Sequence, residues 1–124
     1  MAASAERIRE VVDTYIRLVA TGTADEIAAL YAEGATVEDP VGSDVLTGAE
    51  SIRAFYAGLE PLDQETRLLA VRVAGGEAVF HFEVATRADG MTYTLAPFDV
   101  MTFDDEGRIT SMRAYWGEDD LRVE

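Results

Sequence analysis

The sequence predicts an α+β fold: a curved antiparallel sheet wrapped by three N-terminal helices into a cone with an apolar cavity. Three observations carry that reading. Apolar residues recur at helical spacing between Ile8 and Leu59, with capping residues where helices would begin. From Arg67 onward the pattern changes to alternation with period two. Clusters of Gly and Asp divide this second half into lengths suited to hairpins. The 124 residues leave room for one core, so residues 1–124 are read as a single domain.

The first helix is expected from Ala5 to Thr21, with Ser4 as N-cap and Gly22 just past its end. Ile8, Val11, Val12, Tyr15, Ile16 and Val19 form its apolar stripe. The second is expected from Ala24 to Ala32, opened by a capping box of Thr23 and Glu26 and followed by Gly34. Ile27, Leu30 and Tyr31 share its inner face. The third, from Gly48 to Ala57, repeats the box with Thr47 and Glu50 and stops near Gly58. Between the second and third, Ala35 to Pro40 suits a short strand in which Val37 and Asp39 face one way and Glu38 the other. Further strands are expected near Arg67–Ala74, Glu77–Arg87, Met91–Phe103 and Arg108–Trp116.

Composition narrows the chemistry. Ten cationic and 24 anionic residues give a formal net charge of −14, a surface that repels phosphate backbones, so no nucleic-acid partner is expected. Every cation is Arg, which removes Schiff-base catalysis by Lys and a P-loop. Cysteine is absent and His81 is the sole histidine, which excludes thiol nucleophiles, disulfides and multi-histidine metal sites. No metal is expected among the acids, because no spaced oxygen-ligand motif occurs. No apolar run approaches the roughly 20 residues of a membrane span. Glu6 and Glu10 do not suit a signal peptide, so a cytoplasmic location is expected.

Asp99 breaks the local rule. It is the one charged residue between Met91 and Phe103, and it shares a strand face with Leu95, Pro97 and Met101. Such an Asp either keeps its proton in an apolar site, where it becomes a hydrogen-bond donor, or pairs with an Arg or lies at a wet strand edge. Asp39 is either a general base facing the cavity or a turn residue before Pro40. Tyr15, Tyr31 and Tyr56 each lie on an apolar face, and their hydroxyls need partners. They are ordinary core tyrosines or a chain of phenols ending at a ligand. Phe80, Phe82, Met112 and Trp116 read as core, and His81, out of step with Phe80 and Phe82, as an exposed strand residue.

Tyr15, Tyr31, Val37-Glu38-Asp39-Pro40-Val41-Gly42-Ser43, Phe55-Tyr56, Ala96-Pro97-Phe98-Asp99 and Ser111-Met112-Arg113-Ala114 occur in the order found in the bacterial Δ5-3-ketosteroid isomerases. The chain resembles that family along essentially its whole length. The resemblance implies that Asp39 is the catalytic base, moving a proton from carbon 4 to carbon 6 of a neutral steroid. It implies an oxyanion hole of Tyr15 and protonated Asp99, backed by Tyr56 and Tyr31. Val19, Phe55, Phe82, Val84, Leu95, Met112, Ala114 and Trp116 would form the apolar wall. It further implies a cone similar to nuclear transport factor 2, a homodimer and no cofactor. The family is itself a standing example of a carboxyl kept neutral by an apolar site, so the reading of Asp99 is not independent of it. Residues 57–61 are one residue shorter than the family's stretch, at the pocket rim, and the tail from Glu118 to Glu124 matches nothing firm.

Two other readings share this fold. One is a non-catalytic small-molecule-binding or assembly domain, which has no need of Asp39, Tyr15 and Asp99 together. The other is a polyketide cyclase-like enzyme or an epoxide hydrolase. An epoxide hydrolase's Asp–Arg–Asp arrangement would require an inward Arg, and Arg113 is expected to point outward, opposite Met112 and Ala114.

Overall fold

The computed structural model describes residues 2–124. Helix α1 (Ala5–Thr21) is capped as its sequence demands: the Ser4 hydroxyl accepts from the Arg7 amide at 3.1 Å. Its stripe of Ile8, Val11, Val12, Tyr15 and Ile16 is buried. Helix α2 (Ala24–Ala28) opens with the expected capping box, in which Glu26 N–H donates to Thr23 Oγ1 and Thr23 N–H to Glu26 Oε1. Helix α3 (Ala49–Leu59) buries Ile52 and Tyr56, and Arg53 pairs with Asp25 to tie it to α2. No helix among the described residues is long and apolar enough to cross a membrane.

Among the described residues eight strands form one sheet: β1 (Tyr31–Glu38), β2 (Leu46–Thr47), β3 (Asp63–Ala74), β4 (Glu77–Ala88), β5 (Met91–Leu95), β6 (Phe98–Phe103), β7 (Ile109–Tyr115) and β8 (Arg122–Val123). Its order is β2-β1-β7-β6-β4-β5-β8, with β3 on the other side of β4. All pairings are antiparallel except β1 with β7, which run parallel. The β3–β4 hairpin turns at Gly75 and Gly76, both at positive φ, which fits the two-residue turn that follows strand twist. An extra residue between Leu68 and Ala70 in β3 shifts the register and bends the hairpin. The concave face meets the helices over a core that includes Ile8, Val12, Val37, Ile52, Phe80, Met101, Ile109 and Met112, all fully or almost fully buried.

The structure departs from the sequence reading in several places. The second helix ends four residues early, and Tyr31 begins β1 instead of closing a helix. The Leu30 carbonyl accepts from Ile109 N–H, and Tyr31 pairs with Ile109, so sheet pairing overrides helical periodicity. Thr47 is not a cap: it pairs with Thr36 in β2, and Gly48, at positive φ, stands at the N-cap without a side-chain bond. Helix α3 passes through Gly58 to Leu59. The expected strand from Met91 to Phe103 is two strands broken at Ala96-Pro97, because proline has no N–H for the ladder. The break lets β4 pair with β6 along its first half and β5 along its second, doubling the wall's length.

Ile52 is wholly buried and anchors the helix that carries Phe55 and Tyr56. Ile52→Ala is expected to cost about 2–5 kcal/mol of stability by leaving a cavity, read as a lowered urea midpoint with an unchanged slope.

Candidate active site

The concave side encloses a cavity of about 320 Å³, a size ordinary for small-molecule sites. Its lining is mostly apolar, and Tyr15, Asp39 and Asp99 face it together. Tyr15 comes from the buried stripe of α1, Asp99 from β6 between outward Phe98 and Val100, and Asp39 from the residue just after β1. Alternation places Asp39 on the inward side with Val37, which is wholly buried. Outward Glu38 accepts from Arg113 Nε at 3.1 Å and from the Gly42 amide at 2.8 Å, which pins the turn beside Asp39. Arg113 thus points away from the cavity, onto Glu38 and Tyr115.

The three phenols form a chain. Tyr56 is its hub, 2.7 Å from the Tyr31 hydroxyl and 3.0 Å from that of Tyr15. When Tyr31 donates to Tyr56 and Tyr56 to Tyr15, the proton of Tyr15 remains free for the cavity. Burial pushes all three phenols well above their ordinary pKa, so each is a neutral donor at pH 7. The bond from Tyr56 works the other way on Tyr15, as the bond from Tyr31 does on Tyr56. Tyr31 stands behind Tyr56 and does not line the cavity.

Asp99 is 1% exposed, and its Oδ1 has no hydrogen-bond partner. No Arg among the described residues pairs with it, which resolves the two readings of its sequence context in favour of an apolar site. Burial, then the nearby charge of Asp39, pushes its carboxyl well above the ordinary range. Asp39 is also raised by burial, but Trp116 Nε1 donates to its Oδ1 at 2.8 Å and opposes the shift. Both carboxyls are raised, but burial is deeper at Asp99 and no hydrogen bond opposes it there, so Asp39 is the readier of the two to ionise. Among the described residues no group of three or more acids and histidine is placed to hold a metal ion.

Of the expected wall, Val19, Phe55, Phe82, Val84, Leu95 and Trp116 line the cavity. Met112 and Ala114 do not. Met112 is paired with Val37 and Met101 inside the core, and Ala114, opposite Asp99, has only a methyl group. His81 is on the outer face as alternation requires, but half-buried, its ring stacked 4.1 Å from that of Phe98. The sequence reading missed Gln64, Thr86, Tyr93, Leu59, Pro97 and Leu121 in the lining. Alternation marks two of them, since Thr86 is in phase with Phe82 and Val84, and Tyr93 with Leu95. Gln64 fell outside a strand expected to begin at Arg67 and found to begin at Asp63.

Residues 12–112 match the SnoaL-like domain family. The chain is 48% identical over 116 residues to a steroid Delta-isomerase of Nocardioides simplex, covering 94% of each protein. It is 30% identical to the epoxide hydrolase LasB of Streptomyces lasalocidi over 95% of its own length and half of LasB's. A solved structure of the epoxide hydrolase/cyclase-like enzyme SalBIII, described for pyran ring formation in the polyether salinomycin, superposes with a TM-score of 0.89 at 27% identity. That match covers 96% of this chain and 97% of the other.

The retained proton of Asp99 has a thermodynamic signature. The unfolded chain releases it near pH 3.9, whereas the folded chain holds it to higher pH, so stability is lost as pH rises above about 4. Asp99→Asn removes that term. Its stability relative to the parent is expected to improve with pH by up to about 1.4 kcal/mol per pH unit above pH 4, measured by denaturation at several pH values.

Proposed function

The chain belongs to the SnoaL-like domain family, and on that premise we propose that it is a steroid Delta-isomerase, converting Δ5-3-ketosteroids to conjugated Δ4-3-ketosteroids. One observation carries the reading: a fully buried carboxyl with no cation paired to it, a buried phenol and a half-buried carboxyl face a single apolar cavity. Moving the double bond requires a proton to be taken from a carbon next to a carbonyl. The substrate is a weak carbon acid, so a base and donors to the developing oxyanion are both needed.

In this mechanism Asp39 removes the proton from carbon 4, and the electrons move onto the 3-oxygen to give a dienolate. Tyr15 and Asp99 each donate a hydrogen bond to that oxygen. Asp39 then returns the same proton to carbon 6, leaving the double bond between carbons 4 and 5, so no cofactor is consumed. A positioned base contributes roughly 10²–10⁴-fold, and each preorganised donor about 2.7–4 kcal/mol. Tyr56 and Tyr31 feed polarisation into Tyr15 through the chain of hydroxyls. Trp116 positions Asp39 and keeps its ionised form accessible. Val19, Phe55, Phe82, Val84 and Leu95 bury the hydrocarbon of the substrate.

A homodimer is part of the proposal. Phe98, half exposed, and Tyr115 face each other in register on the outer side of the sheet, where exposed Val79 and the His81 ring also lie. Such a patch on a chain with a net charge of −14 favours a self-complementary apolar contact. The same charge repels anionic membranes and nucleic acid, which supports a freely diffusing cytoplasmic enzyme. An epoxide-opening activity is the second reading, favoured by the likeness to SalBIII; against it, Arg113 points away from the cavity, where an Asp–Arg–Asp arrangement would need an inward Arg.

Asp39→Asn is expected to fold normally and to lose at least roughly 10²–10⁴-fold in turnover of 5-androstene-3,17-dione, followed by appearance of the conjugated enone. Turnover near that of the parent would remove Asp39 as the base. Since Asp39 acts ionised, kcat/KM is expected to fall in acid through a pKa above the ordinary carboxylate value. Trp116→Phe removes the bond that lowers it, so the acid limb is expected to move to still higher pH.

A further inference from the structure

We propose that Gln64 is a specificity-determining residue that accepts a hydrogen bond from a hydroxyl on the end of the steroid remote from its 3-oxygen. This rests on the steroid reading of the cavity but names a second polar end that the isomerisation itself does not use. Gln64 on β3, Thr86 on β4 and Tyr93 on β5 are cross-strand partners in one row, and all three line the cavity. Gln64 Nε2 donates to Thr86 Oγ1 at 3.0 Å, which leaves the amide oxygen as the unpaired end. Its Oε1 is enclosed and has no partner. With Asp99 Oδ1, it is one of two buried side-chain polar atoms among the described residues left without a hydrogen bond.

The two orphaned atoms belong to opposite ends of one wall. Asp99 stands opposite Phe80 of β4, and Gln64 opposite Thr86 of the same strand. Six residues separate those rows, roughly 20 Å of extended chain measured along its curve. Between them the wall is apolar, with Phe82 and Val84 on β4 and Leu95 beside Val84. A long, rigid hydrocarbon with one polar group at each end matches that distribution. The orphan at the Asp99 end is the carboxyl that offers a proton to an oxygen. The orphan at the Gln64 end is a carbonyl, and only a donor satisfies it. A hydroxyl at carbon 17 can donate, whereas a ketone there meets the amide acceptor to acceptor. The unmade bond then counts against the ketone.

The test compares binding of testosterone and androst-4-ene-3,17-dione, which differ only in hydroxyl against ketone at carbon 17. Quenching of Trp116, the sole tryptophan and a cavity residue, reports both affinities without turnover. The parent is expected to favour the hydroxyl. Gln64→Leu is expected to reduce that preference roughly 2- to 12-fold, the range of one net hydrogen bond. Thr86→Val, which frees the amide to rotate, is expected to reduce it in the same direction, and serves if Gln64→Leu does not fold. A parent that favours the ketone, or a ratio of affinities unchanged in the variants, overturns the proposal. The isomerase assay separates the two readings. Hydroxyl-selective binding without turnover removes the isomerase and keeps the Gln64 subsite, and turnover with an unchanged ratio does the reverse. Failure of both steroids to bind overturns both.

Discussion

Asp99 is enclosed with no cation beside it and one oxygen left without a partner. Burial raises its carboxyl well above the ordinary range, and a carboxyl that keeps its proton is a donor where an ionised one is not. An ionised carboxylate in the same place would repel a developing oxyanion, and its desolvation would cost many kcal/mol. The apolar wall therefore does two things with one set of side chains. It buries hydrocarbon, and it keeps the dielectric low enough for the proton to stay. Asp39, less deeply buried, is raised too, but the indole N–H of Trp116 opposes the shift. Two aspartates in one hollow thus differ in how strongly they hold a proton, through differences in burial and immediate neighbours.

The phenol chain extends this logic outward. Tyr15 faces the cavity, Tyr56 sits behind it and Tyr31 behind that, so each hydroxyl satisfies the next in a region closed to water. They come from α1, α3 and the first residue of β1, which ties the placement of the helices to the sheet through buried polar contacts. Such a network specifies one packing among the many that apolar residues alone would tolerate.

Much of this was legible in the sequence because it depends on local pattern. Ser4, Thr23 and Glu26 announce helix starts through hydrogen bonds made within one turn, and Gly75-Gly76 announces a hairpin through its φ angles. The inward side of Asp39 and Asp99 follows from alternation with Val37 and Met101. What escaped depends on partners distant in sequence. Tyr31 leaves its helix because Ile109 waits to pair with it, and the break at Pro97 acquires its meaning only from β4 lying alongside. Met112 and Ala114 sit on the expected face of β7 yet lie too deep to reach the cavity, and alternation gives a face without a depth. Gln64 was invisible because its strand starts four residues earlier than the apolar pattern does.

The sheet's margins are also informative. Its order begins with β2 and ends with β8, each two residues long, and β8 carries Arg122. Thr92 and Glu124 exchange both backbone hydrogen bonds beyond β8, so the chain's last residues occupy the rim of β5. The long rim of β3 lies under α1, where Thr66 donates to the Ile16 carbonyl at 2.7 Å. Short, charged or shielded rims give a neighbouring molecule little backbone to extend the ladder, so runaway β-stacking into aggregates is disfavoured. The convex face, by contrast, offers side chains and no open ladder of backbone groups.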